Sequence, residues 1–228
     1  MARVVRLTEQ QLTGLLQNIF GMAFNPNKSS STTSTTDSTD SGDSFDDTPK
    51  DTSIGKVSAK GQALLNNPTF KKKLKEISDA INIDENAIIK LMKHESGLDP
   101  TIKNSIGCVG LIQFCPDGKG GSSKTINGKS YTLDEIRYDL EAQMDAIKEF
   151  WTKGYNNGKI KRPADLYLYN FFPIAAGKPD DFVLQAKGLS ATAVAKANPG
   201  FNKKLGKPVS SPLTVGDMKK YYRQTGMA

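Results

Sequence analysis

Apolar positions in this chain recur mostly three and four residues apart, the spacing that lines one face of a helix, and seldom in strict alternation. Leu7, Leu12, Leu15, Leu16, Ile19 and Phe20 form the first such stripe, with Thr8 placed as its N-cap. They predict an amphipathic helix within residues 1–24 that has little nearby to bury against, a segment suited to docking on a partner. From Asn25 the pattern stops. The run SSSTTSTTDSTDSGDSFDD buries too little apolar surface to offset the entropy of ordering, so residues 25–56 are expected to be a disordered or extended tether.

Periodicity returns at Val57. Ala63, Leu64, Phe70, Leu74 and Ile77 indicate one or two helices, and Asp84 caps a segment, DENAIIKLMKHESG, that stops at Gly97. Residues 98–132 are rich in Gly, Asn, Ser and Lys and read as loops, with a short hairpin around Asn127-Gly128. One helix is predicted over Leu133–Trp151, and others over Pro163–Phe172, Pro179–Ala186, Ser190–Ala197 and Val215–Gln224. The expected architecture is a mainly α domain over 57–228 with a C-terminal helical extension. Phe150 and Trp151 are read as core.

Charge sharpens this division. Residues 1–53 carry four Lys/Arg and seven Asp/Glu, net −3, and the rest of the chain carries +10. A basic folded part suits an anionic partner such as a wall polymer, and no basic-aromatic nucleic-acid motif accompanies it. No run of 18 apolar residues exists, so stable membrane insertion is not expected. Arg3 and Arg6 precede a stretch broken by Glu9, Gln10 and Gln11, so no secretory signal is read there. Cys108 and Cys115 are too few for a disulfide framework; they read as two reduced thiols, with a local disulfide as the alternative. His94 has no Cys/His cluster around it, so neither a metal site nor any other cofactor is expected, and it reads as a packing or surface residue.

Candidate chemistry begins with Glu95. Ile88, Leu91 and Met92 make an apolar stripe that Glu95 continues in the last helical turn. Burial and the helix dipole both disfavour its charged form there, which raises its pKa as a general acid near neutrality requires.

Three words place this residue in a wider pattern: Glu95-Ser96-Gly97, then Gly110-Leu111-Ile112-Gln113-Phe114, then Leu166-Tyr167-Leu168-Tyr169-Asn170. In this order they resemble the lytic transglycosylase family, whose fold is that of goose-type lysozyme, and a phrase near Pro173–Asp181 is similar to phage-borne members. The resemblance spans roughly residues 75–185. It implies a lysozyme-like domain in which Glu95 is the catalytic acid/base. Ser105, Gly110, Leu111, Gln113 and Phe114 would contact substrate, Gln113 and the backbone near Gly110 holding the sugar's acetamido group. Tyr169 and Asn170 would line the cleft. Ser105 stands one position off the family's serine, and Phe171-Phe172 replaces the family's Ala-Gly. Asp117 is the candidate second acid, whereas Asp99, just before Pro100, is read as a turn cap. The implied reaction is cleavage of the MurNAc–GlcNAc β-1,4 bond of peptidoglycan with a 1,6-anhydro product. Lysozyme-type hydrolysis and a catalytically silent wall-binding tail module are the alternatives. The docking helix and tether add the expectation of a virion tail or injection-machine protein acting on the bacterial wall or periplasm.

Overall fold

The computed structural model describes residues 57–105, 107–115, 123–186 and 188–227. The expected docking helix, the tether and Asp117 lie outside them.

Caps and stripes set the first three helices. Ser58 Oγ accepts from Gly61 N to open α1 (Ala59–Asn66), and Asn67 Oδ1 accepts from Phe70 N to open α2 (Pro68–Ile81), with Pro68 at its first position. α2 buries Phe70, Leu74, Ile77 and Ile81, and Asn82 ends it in the left-handed conformation. Asp84 caps α3 (Glu85–Ser96), which buries Ile88, Leu91 and Met92 and closes on Gly97 at φ 65°. Burying each such side chain contributes about 1.5–3 kcal/mol.

A two-stranded hairpin follows, β1 (Ser123–Ile126) with β2 (Lys129–Thr132), pairing Ile126 with Lys129. Asn127 and Gly128 both have positive φ, 51° and 80°, which suits the type I′ turn and the twist of the strands. Thr132 and Glu135 form a capping box for α4 (Leu133–Tyr138). The single helix expected over Leu133–Trp151 is broken at Asp139: its own backbone is extended, and its carboxylate accepts from Ala142 N to cap α5 (Leu140–Asn156). A good N-cap inside an apolar stripe starts a new helix rather than extending the old one.

α6 (Pro163–Phe171) starts on Pro163. The helix expected over Pro179–Ala186 does not form. Leu184 N donates to Leu213 O and Val215 N to Phe182 O, so this stretch pairs with the segment before the last helix. Phe182, Val183 and Leu184 form a short continuous apolar run, and tertiary pairing overrides its weak helical spacing. α7 (Ala191–Ala197) and α9 (Val215–Gln224) match expectation, while α8 (Pro199–Lys204) was not expected.

The long α5 packs along α2, and α6 sits against α3, α5 and α9. Across the α2–α5 seam Lys73 lies 2.6 Å from Asp145 and 3.3 Å from Glu141, and Lys148 lies 3.1 Å from Glu76. Trp151 is fully buried, as read from sequence. Val194, Phe201, Val215, Met218 and Tyr222 belong to the same apolar cluster as the helices around α3, so the C-terminal helices share its core. A second cluster of Val109, Ile126, Leu133, Ile136, Ala142 and Ala146 seats the hairpin and the loop before it. No helix of the described residues is long and apolar enough to cross a membrane.

Candidate active site

The end of α3 and the middle of α6 meet at Glu95. The side chain is half-buried, walled in by protein on most sides while solvent still reaches part of it. Burial raises its pKa to about 8, and a hydrogen bond with the Asn170 side chain pulls modestly the other way. The carboxyl is therefore mostly protonated at neutral pH. Among the described residues no second carboxylate contributes to that shift.

Two phenols complete the surroundings. Tyr167 of α6 is fully buried, and burial followed by the nearby Glu95 charge keeps its hydroxyl protonated well beyond the usual range. Tyr221 of α9 is held protonated by the same two causes. The rings of Tyr167 and Tyr221 stack at 6.1 Å, and His94 meets them edge-on at 5.7 and 6.1 Å. His94 thus packs one edge against these rings while the residue stays exposed at the surface, and the partial loss of water around the imidazole lowers its pKa. Tyr221 was missed from sequence because nothing in its spacing says that a helix 126 positions downstream lies against the acid.

The loop at 107–115 forms the neighbouring wall. Val109 and Phe114 exchange both backbone hydrogen bonds at 2.8 Å, making a tight turn of Gly110–Gln113. Asn170 Nδ2 donates to Ile112 O at 3.4 Å, so one side chain ties this loop to the acid. Gly110 has φ 78°, and a Cβ there would come within 2.6 Å of Gln143 Oε1. Close approach of Gln143 by itself requires a glycine here. Gln143, unremarked in the sequence, is wholly buried on α5. Its Oε1 accepts from Leu111 N at 2.8 Å, and its Nε2 donates to Pro100 O and Ile136 O, both at 3.0 Å.

The expected substrate contacts are not all brought together. Ser105 is exposed and Phe114 half-buried, with Lys124 Nζ 6.0 Å from its ring centre. Leu111 is core, leaving only its backbone for a ligand. Gln113 is buried at φ 58°, and its Nε2 donates to Gly110 O at 2.9 Å while its Oε1 has no partner among the described residues. Tyr169 turns towards α5, its ring 4.9 Å from Phe150 and against Gly154. Tyr167, two positions earlier on the same helix, is the tyrosine beside Glu95.

Asp99 acts as a turn cap, accepting from Thr101 N at 2.9 Å and Thr101 Oγ1 at 2.7 Å, and pairing with Lys60 at 2.8 Å. Burial would raise its pKa, but these partners outweigh it and hold the carboxyl below its usual value. The two cysteines are not free thiols: Cys108 and Cys115 form a disulfide, because the Val109–Phe114 pairing sets their Cα atoms 4.0 Å apart. Among the described residues no group of acidic, His or Cys side chains is placed to hold a metal.

No curated protein and no solved structure matched the chain. Tyr169 and Asn170 lie beyond the residues that match a family model, and that match supports the mainly helical, lysozyme-like fold. Over residues 72–148, from α2 into α5 and including Glu95 and the 107–115 loop, the chain matches the Transglycosylase SLT domain, a family of peptidoglycan lytic transglycosylases.

Proposed function

We propose that the chain cleaves the MurNAc–GlcNAc β-1,4 bond of peptidoglycan with Glu95 as its single acid/base, leaving a 1,6-anhydromuramoyl end. The observation that carries this reading is a half-buried carboxyl whose pKa burial raises to about 8, with Asn170 bonded to it. In the first step Glu95 gives its proton to the glycosidic oxygen, and the C1–O bond breaks. The carbonyl oxygen of the neighbouring N-acetyl group forms a bond to C1, so no protein nucleophile is needed. The Asn170 amide bonds the carboxylate produced. In the second step that carboxylate takes the proton of the sugar's 6-hydroxyl, O6 bonds to C1, and the acetamido oxygen leaves. The ring closes without water, and Glu95 ends protonated.

Asp99 is engaged with Lys60 and Thr101, which favours a one-carboxylate mechanism over the acid–nucleophile pair of a retaining hydrolase. We further propose residues 1–24 as the segment that docks on a phage tail or injection-machine protein, with 25–56 as tether, for local opening of the wall. Purified protein incubated with peptidoglycan sacculi tests the reaction. Soluble muropeptides should appear with the wild type and not with Glu95→Gln; equal release by both would refute the assignment.

A further inference from the structure

The Cys108–Cys115 bond closes around the loop that reaches the acid through Asn170. It brackets the Val109–Phe114 pair, and inside the ring lie Ile112, whose carbonyl receives Asn170, and Gln113, a non-glycine residue in the left-handed region whose buried Oε1 has no partner among the described residues. Both features are unfavourable by themselves and persist only where the surroundings enforce them. The enforcing groups are Gln143 at one end and the disulfide at the other. Cys108 is fully buried, whereas Cys115 is half-buried, so Cys115 is the more accessible end of the bond.

We propose that this disulfide is a redox latch on the active-site loop: oxidation fixes Ile112 and Asn170 in working position beside Glu95, and reduction slackens them. This rests on the peptidoglycan reading, since that substrate lies outside the reducing cytoplasm, where disulfides persist. The latch closes by exchange with a disulfide-bearing oxidant. The Cys115 thiolate attacks one oxidant sulfur and expels a thiolate; the Cys108 thiolate then attacks Cys115 Sγ and expels the second. One disulfide is consumed and one formed, the oxidant gains two electrons, and both cysteine protons end on the departing thiols.

The test uses the full chain equilibrated with glutathione disulfide or with dithiothreitol, its thiol state fixed by the mass of the alkylated protein. Two readouts are taken below the melting temperature: muropeptide release from sacculi, and the Asn170 side-chain amide signal by NMR. Reduction should slow release at least about tenfold through loss of positioning, shift the Asn170 signal, leave far-ultraviolet circular dichroism unchanged, and reverse on re-oxidation. The Cys108→Ser, Cys115→Ser double variant should stay slow in both buffers; if it does not fold, the wild-type pair of states decides. A merely structural bond would lower the melting temperature and leave rate and signal unmoved, which would overturn the latch. Absence of turnover in both states would refute the peptidoglycan reading instead, and the Asn170 signal would then decide the latch alone.

Discussion

At Glu95 the difficulty of burying a carboxylate is turned into proton affinity. Its pKa of about 8 in the fold exceeds that of the unfolded chain, so between those two values the folded state holds the proton more tightly. Stability therefore falls as pH rises from the ordinary carboxylate range to about 8, by at most about 3 kcal/mol at pH 7. Glu95→Gln removes that cost: its melting temperature should exceed the wild type's at pH 7 and match it near pH 4, and thermal melts at the two values check this. For catalysis the sign is that of a required acid, so kcat/KM should drop as pH climbs through about 8. Asn170→Ala deletes the hydrogen bond that favours the carboxylate. The basic limb of the profile should then move to higher pH while turnover falls about 10–100-fold; a limb left in place would separate Asn170 from the acid. The stripe of Ile88, Leu91, Met92 and Glu95 was legible in the sequence because helical spacing alone puts the carboxyl on the apolar face. The choice of Tyr167 over Tyr169 was not, since either tyrosine fits the word and only the seating of α6 on α5 decides which one faces the acid.

Among the secondary-structure elements, α5 does more than frame the core, because Gln143 ties the loop at Leu111 N to Pro100 O and Ile136 O through three hydrogen bonds, two of them buried. Gln143→Leu would leave Leu111 N, Pro100 O and Ile136 O without that partner. The expected loss is about 2–4 kcal/mol from stranded buried polar groups, measurable by urea unfolding. Gly110→Ala should also destabilise, since the new methyl meets the Gln143 amide and φ is 78°. Caps and Asn127-Gly128 made most element ends readable, for they are local signals. The disulfide, the false helix at Pro179–Ala186 and the short α8 were not, because each depends on which distant segment lies alongside. Seven residues of spacing between two cysteines do not reveal that a hairpin folds them together.

Taken as a whole, the molecule extends well past the residues that match the Transglycosylase SLT domain. α9 supplies Tyr221 to the surroundings of the acid, and Met218 and Tyr222 to the core. Removing α7–α9 should therefore abolish cooperative unfolding, in contrast to removal of residues 1–24. The latter truncation should leave the rate on sacculi unchanged while preventing incorporation into a virion, as judged by particle composition; a fall in turnover would contradict the tether role. Seven excess positive charges suit an anionic wall polymer, and binding to sacculi should weaken as salt is raised.

The most direct test is the mass of the glycan ends released by the wild-type enzyme. A single carboxyl that hands its proton out and takes one back from the 6-hydroxyl produces ends one water lighter than hydrolysis does. Anhydro ends that disappear with Glu95→Gln are the expected result; ends carrying the added water would contradict it.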